Sequence, residues 1–165
     1  MGPDHQRTIV ALSNLAAFKR SNKDFDGAAA DYRDLLVRQT RSQGREHPVT
    51  ARLMSGLGET LLEIWLARRD STALKEAEAL YVEALAILEP SLGAVHPQVG
   101  VALDRLATAR SHLGRDREAK PLADRAVRIL KAAYGDAHQS TASALAHQAM
   151  IQSRLDSLSA GRGRP

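Results

Sequence analysis

The 165-residue chain has no cysteine, and aromatic residues make up only 4% of it. The first absence excludes a disulfide framework, a thiolate zinc site, an iron–sulfur cluster and a cysteine nucleophile. The second leaves a modest core to be built from aliphatic residues, within the 44% of the chain that is hydrophobic. Apolar runs stay well short of the roughly 18 residues of a membrane span, and the opening residues lack the apolar region of a signal peptide. The chain therefore reads as soluble and cytoplasmic. Nucleotide-binding GxxxxGK[ST] and GxGxxG, metalloprotease HExxH and hydrolase GxSxG patterns are missing, so no cofactor or metal is expected.

What is present is mild basicity and repetition. Lys and Arg total 23 against 19 acids, a net +4 carried mostly by arginine. A surplus of that size favours acidic partners weakly. The arginine- and alanine-rich composition suggests a bacterial origin.

Gly-x-x-His occurs four times, ending at His5, His47, His96 and His138, so successive histidines are 42, 49 and 42 residues apart. Pro48 and Pro97 follow two of them directly. Proline suits the first turn of a helix, and the preceding glycine can take the positive φ that ends the previous one, so each copy marks a helix-to-helix joint. Because the histidines recur one per repeat, they serve the joints and cannot converge on one metal.

Between joints apolar residues recur at helical spacing, as in Val101, Leu103, Leu106 and Ala107 or Leu122, Ala126, Ile129 and Leu130. Inner breaks at Asn22-Lys23-Asp24, Arg69-Asp70-Ser71 and Gly114-Arg115-Asp116 split each repeat into an A and a B helix. The expected helices span residues 6–21, 25–42, 48–68, 72–90, 97–112, 116–133 and 139–157. They compose one all-α domain over 1–157, with repeats at 5–43, 47–92 and 96–134 and a half repeat at 138–157. The basic segment 158–165 is expected to be disordered.

The run from His96-Pro97 through Leu103, Leu106-Ala107, Gly114, Glu118-Ala119, Pro121-Leu122, Ala126, Ile129 and Gly135 resembles a tetratricopeptide repeat (TPR) of the kinesin-light-chain type. The first repeat keeps Leu12, Leu15-Ala16, Ala28, Tyr32 and Leu36, and the second keeps Ala77, Tyr81, Ala84, Ile87 and Gly93. The resemblance implies a TPR-type superhelix of seven helices that holds peptide segments or protein surfaces and does no chemistry itself. Small residues on the A helices (Ala16, Gly58, Ala107, Ala149) and B helices (Ala28, Ala77, Ala119) let neighbouring helices approach closely.

The 49-residue repeat carries seven residues beyond the others, about one extra turn for each of its helices. The extension holds Ile64, Trp65 and Leu66 opposite Leu74. Trp65, the sole tryptophan, is expected to pack on its own hairpin, with a partner or dimer contact as the alternative.

Stacked helix pairs form a concave face lined mainly by A helices, a groove suited to a peptide rather than a closed pocket for a small substrate. The repeat register points Val10, Ser13, Asn14 and Ala17, then Arg52, Ser55, Gly56 and Glu59, into it. Val101, Asp104, Arg105 and Thr108 follow, with Ser143, Ala146, His147 and Met150. In related TPR domains asparagine with lysine or arginine at such positions clamps a peptide's terminal carboxylate or backbone; Asn14, Arg52 and Arg105 resemble part of that set. Ser13 stands where a lysine is usual, and Glu59 and Asp104 add negative charge, which suits a segment of mixed charge. Arg52 and Arg105 could instead pair with Glu59 and Asp104. His112 and His147 also fall near the groove, as ligand contacts or plain surface histidines, with no carboxylate at a suggestive sequence spacing.

The expected function is a non-catalytic protein-interaction scaffold in bacterial signalling or complex assembly. The alternative is a self-associating module that uses the edge of the last helix (Leu145, Ala149 and Ile151) or the Trp65 extension, contacting another copy or an adjacent domain of a longer chain. Nucleic-acid binding is disfavoured: the Gly161-Arg162-Gly163-Arg164 tail supplies two cations, and stacking platforms are few.

Overall fold

The computed structural model describes residues 6–162. All regular elements among them are α-helices: α1 Gln6–Ser21, α2 Phe25–Gln43, α3 Pro48–Arg68, α4 Ser71–Leu92, α5 Pro97–His112, α6 Asp116–Tyr134 and α7 Gln139–Arg162. The all-α array of hairpins expected from periodicity is the observed fold. Among the described residues no helix is long and apolar enough to cross a membrane. The first joint, residues 2–5, and the tail end, 163–165, lie outside the described residues.

α7 runs on through Arg162, past the expected helix end at residue 157. Nothing from Ser157 to Ala160 breaks a helix, and Ser157 and Ser159 return their hydroxyls to the carbonyls of Ser153 and Leu155 at 2.9 and 2.7 Å.

The joints work as the sequence suggests. Gly44, Gly93 and Gly135 adopt φ of 89°, 92° and 78°, which L-residues rarely take. Each following histidine then caps the next helix: Nδ1 of His47, His96 and His138 accepts from the backbone N–H two residues on, at 3.1, 3.2 and 3.1 Å. Histidine thus fills the place usually held by Ser, Thr, Asp or Asn. The inner turns share a left-handed residue, Lys23 (φ 65°), Arg69 (φ 57°) and Gly114 (φ 76°), after which Asp24 caps α2 and Asp70 caps α4.

The chain divides into two compact units between Ser91 and Leu92. In the first, Tyr32, Leu35, Met54, Leu57 and Tyr81 are buried with Ala16, Ala28 and Ala77. Close approach fixes the glycines here: a Cβ on Gly56 would sit 2.6 Å from the Tyr32 ring and one on Gly58 2.8 Å from the Tyr81 ring. α3 has 21 residues against 16 in α1, and α4 has 22 against 19 in α2, which is the extra length of the long repeat. Within the extension Ile64 and Leu74 are buried and Leu66 is exposed. Trp65 is half-buried, with the Arg69 guanidinium 5.0 Å above its ring.

In the second unit Ala107, Ala119, Ala123 and Ile151 form one buried cluster, flanked by Leu122, Met150 and Leu155. Val127, Leu130 and Ala144 form another. This overturns part of the expected apolar edge of α7: Ile151 is 0% exposed and belongs to the core, while Leu145 and Ala149 remain at the surface.

Candidate functional site

In the first unit the A helices α1 and α3 face each other across a cleft of about 290 Å³. Three of the expected residues, Ser13, Asn14 and Arg52, line it together. Ile9, Val10 and Val49 supply apolar wall, and Tyr32 reaches in from α2. The helical repeat explains the grouping: Val10, Ser13, Asn14 and Ala17 recur at three and four and share one side of α1.

These polar groups differ in what they can offer a ligand. Ser13 spends its hydroxyl proton on the Val10 carbonyl at 2.8 Å, and its own carbonyl accepts from the Tyr32 hydroxyl at 3.3 Å. Ser55 is likewise turned back to the Ala51 carbonyl, at 3.0 Å. Asn14 and Arg52 are exposed and make no hydrogen bond or ion pair among the described residues. They are the amide and the cation that the cleft presents.

Glu59 does not pair with Arg52. Arg20, from the last turn of α1, takes it in an ion pair. Burial alone would draw the Arg20 guanidinium down, but the charge and hydrogen bond of Glu59 hold it above its ordinary value. Burial pushes the neighbouring Tyr32 phenol up. Sequence reasoning missed Arg20, although it continues the inward series Val10, Ser13, Ala17 by one further step of three. With Glu59 neutralised, the net charge at the cleft is the positive one of Arg52.

The second unit places its expected residues differently. Asp104 on α5 is 4% exposed and receives Nδ1 of His147 from α7 at 2.9 and 3.1 Å to its two oxygens. Asp104 thus has His147 as its partner, where the alternative reading of the sequence had offered Arg105. Sequence spacing gave no hint of a carboxylate for His147, because the two lie 43 residues apart and meet only through the repeat register. Thr108 is buried, and its hydroxyl donates to the Asp104 carbonyl at 2.9 Å. His112 is half-buried in the last turn of α5.

Two further contacts continue this polar seam. Arg154 donates to the Ser111 carbonyl at 2.8 Å, and Gln148 to Asp124 on α6 at 2.7 Å. Burial alone would raise the Asp124 carboxyl, yet hydrogen bonds from Lys120 and Gln148 hold it below the ordinary carboxylate range. The seam fastens α7 to its hairpin and leaves Asp104 and His147 mutually satisfied. Among the described residues no group of His, Asp and Glu could hold a metal ion.

Comparison with known proteins agrees with this architecture. Two tetratricopeptide repeat family models match residues 8–49 and 67–132. A Candida albicans clustered mitochondria protein homolog is 28% identical over 134 residues, which are 81% of this chain but 9% of that protein's length. Among solved structures, a variant of a Podosopora anserina protein with nearly identical kinesin-light-chain TPR-like repeats aligns with 95% of this chain and 71% of its own, at TM-score 0.72 and 20% identity. BtubC (BKLC) from P. vanneervenii aligns with 90% of this chain and 61% of its own, at TM-score 0.65 and 18% identity. The matched repeats, the glycine–histidine joints and the hairpin packing lead to one conclusion: this chain belongs to the tetratricopeptide repeat proteins, with a fold of the kinesin-light-chain type.

Proposed function

We propose that this chain is a non-catalytic scaffold whose α1–α3 cleft holds an extended segment of a partner protein. The observation that carries the reading is the pairing of Asn14 and Arg52, exposed and uncommitted among the described residues, beside the apolar wall of Ile9, Val10 and Val49. An amide both donates to and accepts from an extended backbone, while a guanidinium holds a carboxylate through two parallel bonds. Because Arg20 neutralises Glu59, the cleft favours a segment with an acidic residue opposite Arg52. The arginine-rich composition suits a cytoplasmic bacterial signalling or assembly factor.

Peptide-display selection against the wild-type chain and an Arg52→Ala variant tests this. Enrichment of an acid-containing consensus lost in the variant supports the cleft. A selection in which no enriched peptide is weakened by Arg52→Ala or by Asn14→Ala removes it.

Self-association has its own observation in Leu145, Ala149 and Leu158, which stay at the surface of α7. Light scattering decides that reading, since a monomer at high concentration excludes it and a dimer weakened by Leu145→Glu supports it.

A further inference from the structure

The first unit has a second recess, lined from α2, α3 and α4, that the α1–α3 cleft does not explain. A cavity of about 370 Å³ is lined by Leu36, Val37, Arg41, Met54 and Leu80. Two ion pairs bracket it along the helices, Arg33 with Glu76 on one side and Arg45 with Glu83 on the other. Val37 is 59% exposed at its rim, where a solvated helix face would carry a polar side chain. Arg41 is exposed and makes no ion pair among the described residues.

A second cavity of about 440 Å³ adjoins the first at Arg45, which lines both, and continues along Glu46, Glu83, Ala86, Ile87 and Pro90. Its chemistry is opposite in sign. Glu46 is exposed and has no cation partner among the described residues. Pro90, inside α4, has no N–H, so the Ala86 carbonyl one turn earlier lacks its helical donor. The two cavities thus make a polarised trench: an apolar recess beside a free cation, followed by a free carboxylate and an acceptor carbonyl.

We infer that this trench docks a partner-protein segment of complementary order. One bulky apolar side chain enters over Met54, a carboxylate lies beside Arg41, and a cation extends toward Glu46 and the Ala86 carbonyl. The assignment is independent of the α1–α3 cleft, since the two surfaces have no lining residue in common.

The test is selection from a random peptide library on the full chain, followed by binding titrations with Val37→Asp, Arg41→Glu, Glu46→Lys and Arg52→Ala. The first three replace exposed side chains, and circular dichroism checks that each variant stays folded. Expected is a set of acid–apolar–base peptides weakened about tenfold or more by Val37→Asp and by Arg41→Glu and unchanged by Arg52→Ala. A peptide with its two charges exchanged should regain affinity for the Arg41→Glu/Glu46→Lys double variant. Enriched peptides that all ignore Val37→Asp, or that lose binding to Val37→Asp but not to Arg41→Glu, overturn the inference. Peptides sensitive only to Arg52→Ala also overturn it while supporting the inner cleft.

Discussion

Gly58 tests whether close helix approach rather than helix propensity decides this fold. Glycine to alanine inside a helix ordinarily gains up to about 1 kcal/mol. Here the new methyl would sit 2.8 Å from the ring of Tyr81, a side chain that is 0% exposed and has no room to retreat. Gly58→Ala should therefore destabilise the chain by about 1–3 kcal/mol, measured by urea unfolding. Lys23 presents the reverse case, an exposed L-residue held at φ 65°. Relief of that conformation should make Lys23→Gly neutral to stabilising, by up to about 1 kcal/mol in the same assay. A loss of stability would show that the lysine side chain contributes more than its backbone costs. Periodicity in the sequence marks such turns but not which residue takes the left-handed conformation, because Gly114 announces it and Lys23 and Arg69 do not.

At the scale of the element, the expected helices for α1, α3 and α5 coincide with those observed, because proline, glycine and capping residues punctuate them. α7 was misjudged at its end, where no breaker precedes Gly161. The candidate site was half legible. Asn14 and Arg52 follow from helix register alone, whereas Arg20–Glu59 and His147–Asp104 needed the lateral position of neighbouring helices, which register does not supply. The second pair gives a prediction about α7. His147→Ala leaves the buried Asp104 carboxylate without its partner and should cost about 1–3 kcal/mol. In an Asp104→Asn background the same substitution should cost less, and a double-mutant cycle measures the difference. Strict additivity would mean that the contact does not fasten α7.

For the whole molecule, stability should fall on the acid side of neutrality. Hydrogen bonds from Arg68 and Arg115 hold the Asp26 and Glu118 carboxyls below their ordinary values, and Asp124 is lowered through Lys120 and Gln148 against the effect of burial. A carboxyl lowered by folding contributes stability above its unfolded value of about 4, and that contribution fades as pH drops through the lower folded value. The thermal midpoint followed by circular dichroism should accordingly decline between about pH 5 and pH 2, as protonation also adds to a chain already at +4. Asp124→Asn should flatten that decline. An unchanged slope would show that its bonds to Lys120 and Gln148 carry no net linkage.

The histidine caps have a spectroscopic corollary. In the capping geometry Nδ1 of His47, His96 and His138 is the acceptor, so the form of the ring that makes the cap is the Nε2–H tautomer. Long-range proton–nitrogen correlation spectra at neutral pH should group these three imidazoles in the Nε2–H tautomer. Each would then serve as a local reporter of its own helix start, and loss of one pattern during denaturation would tell which joint opens first.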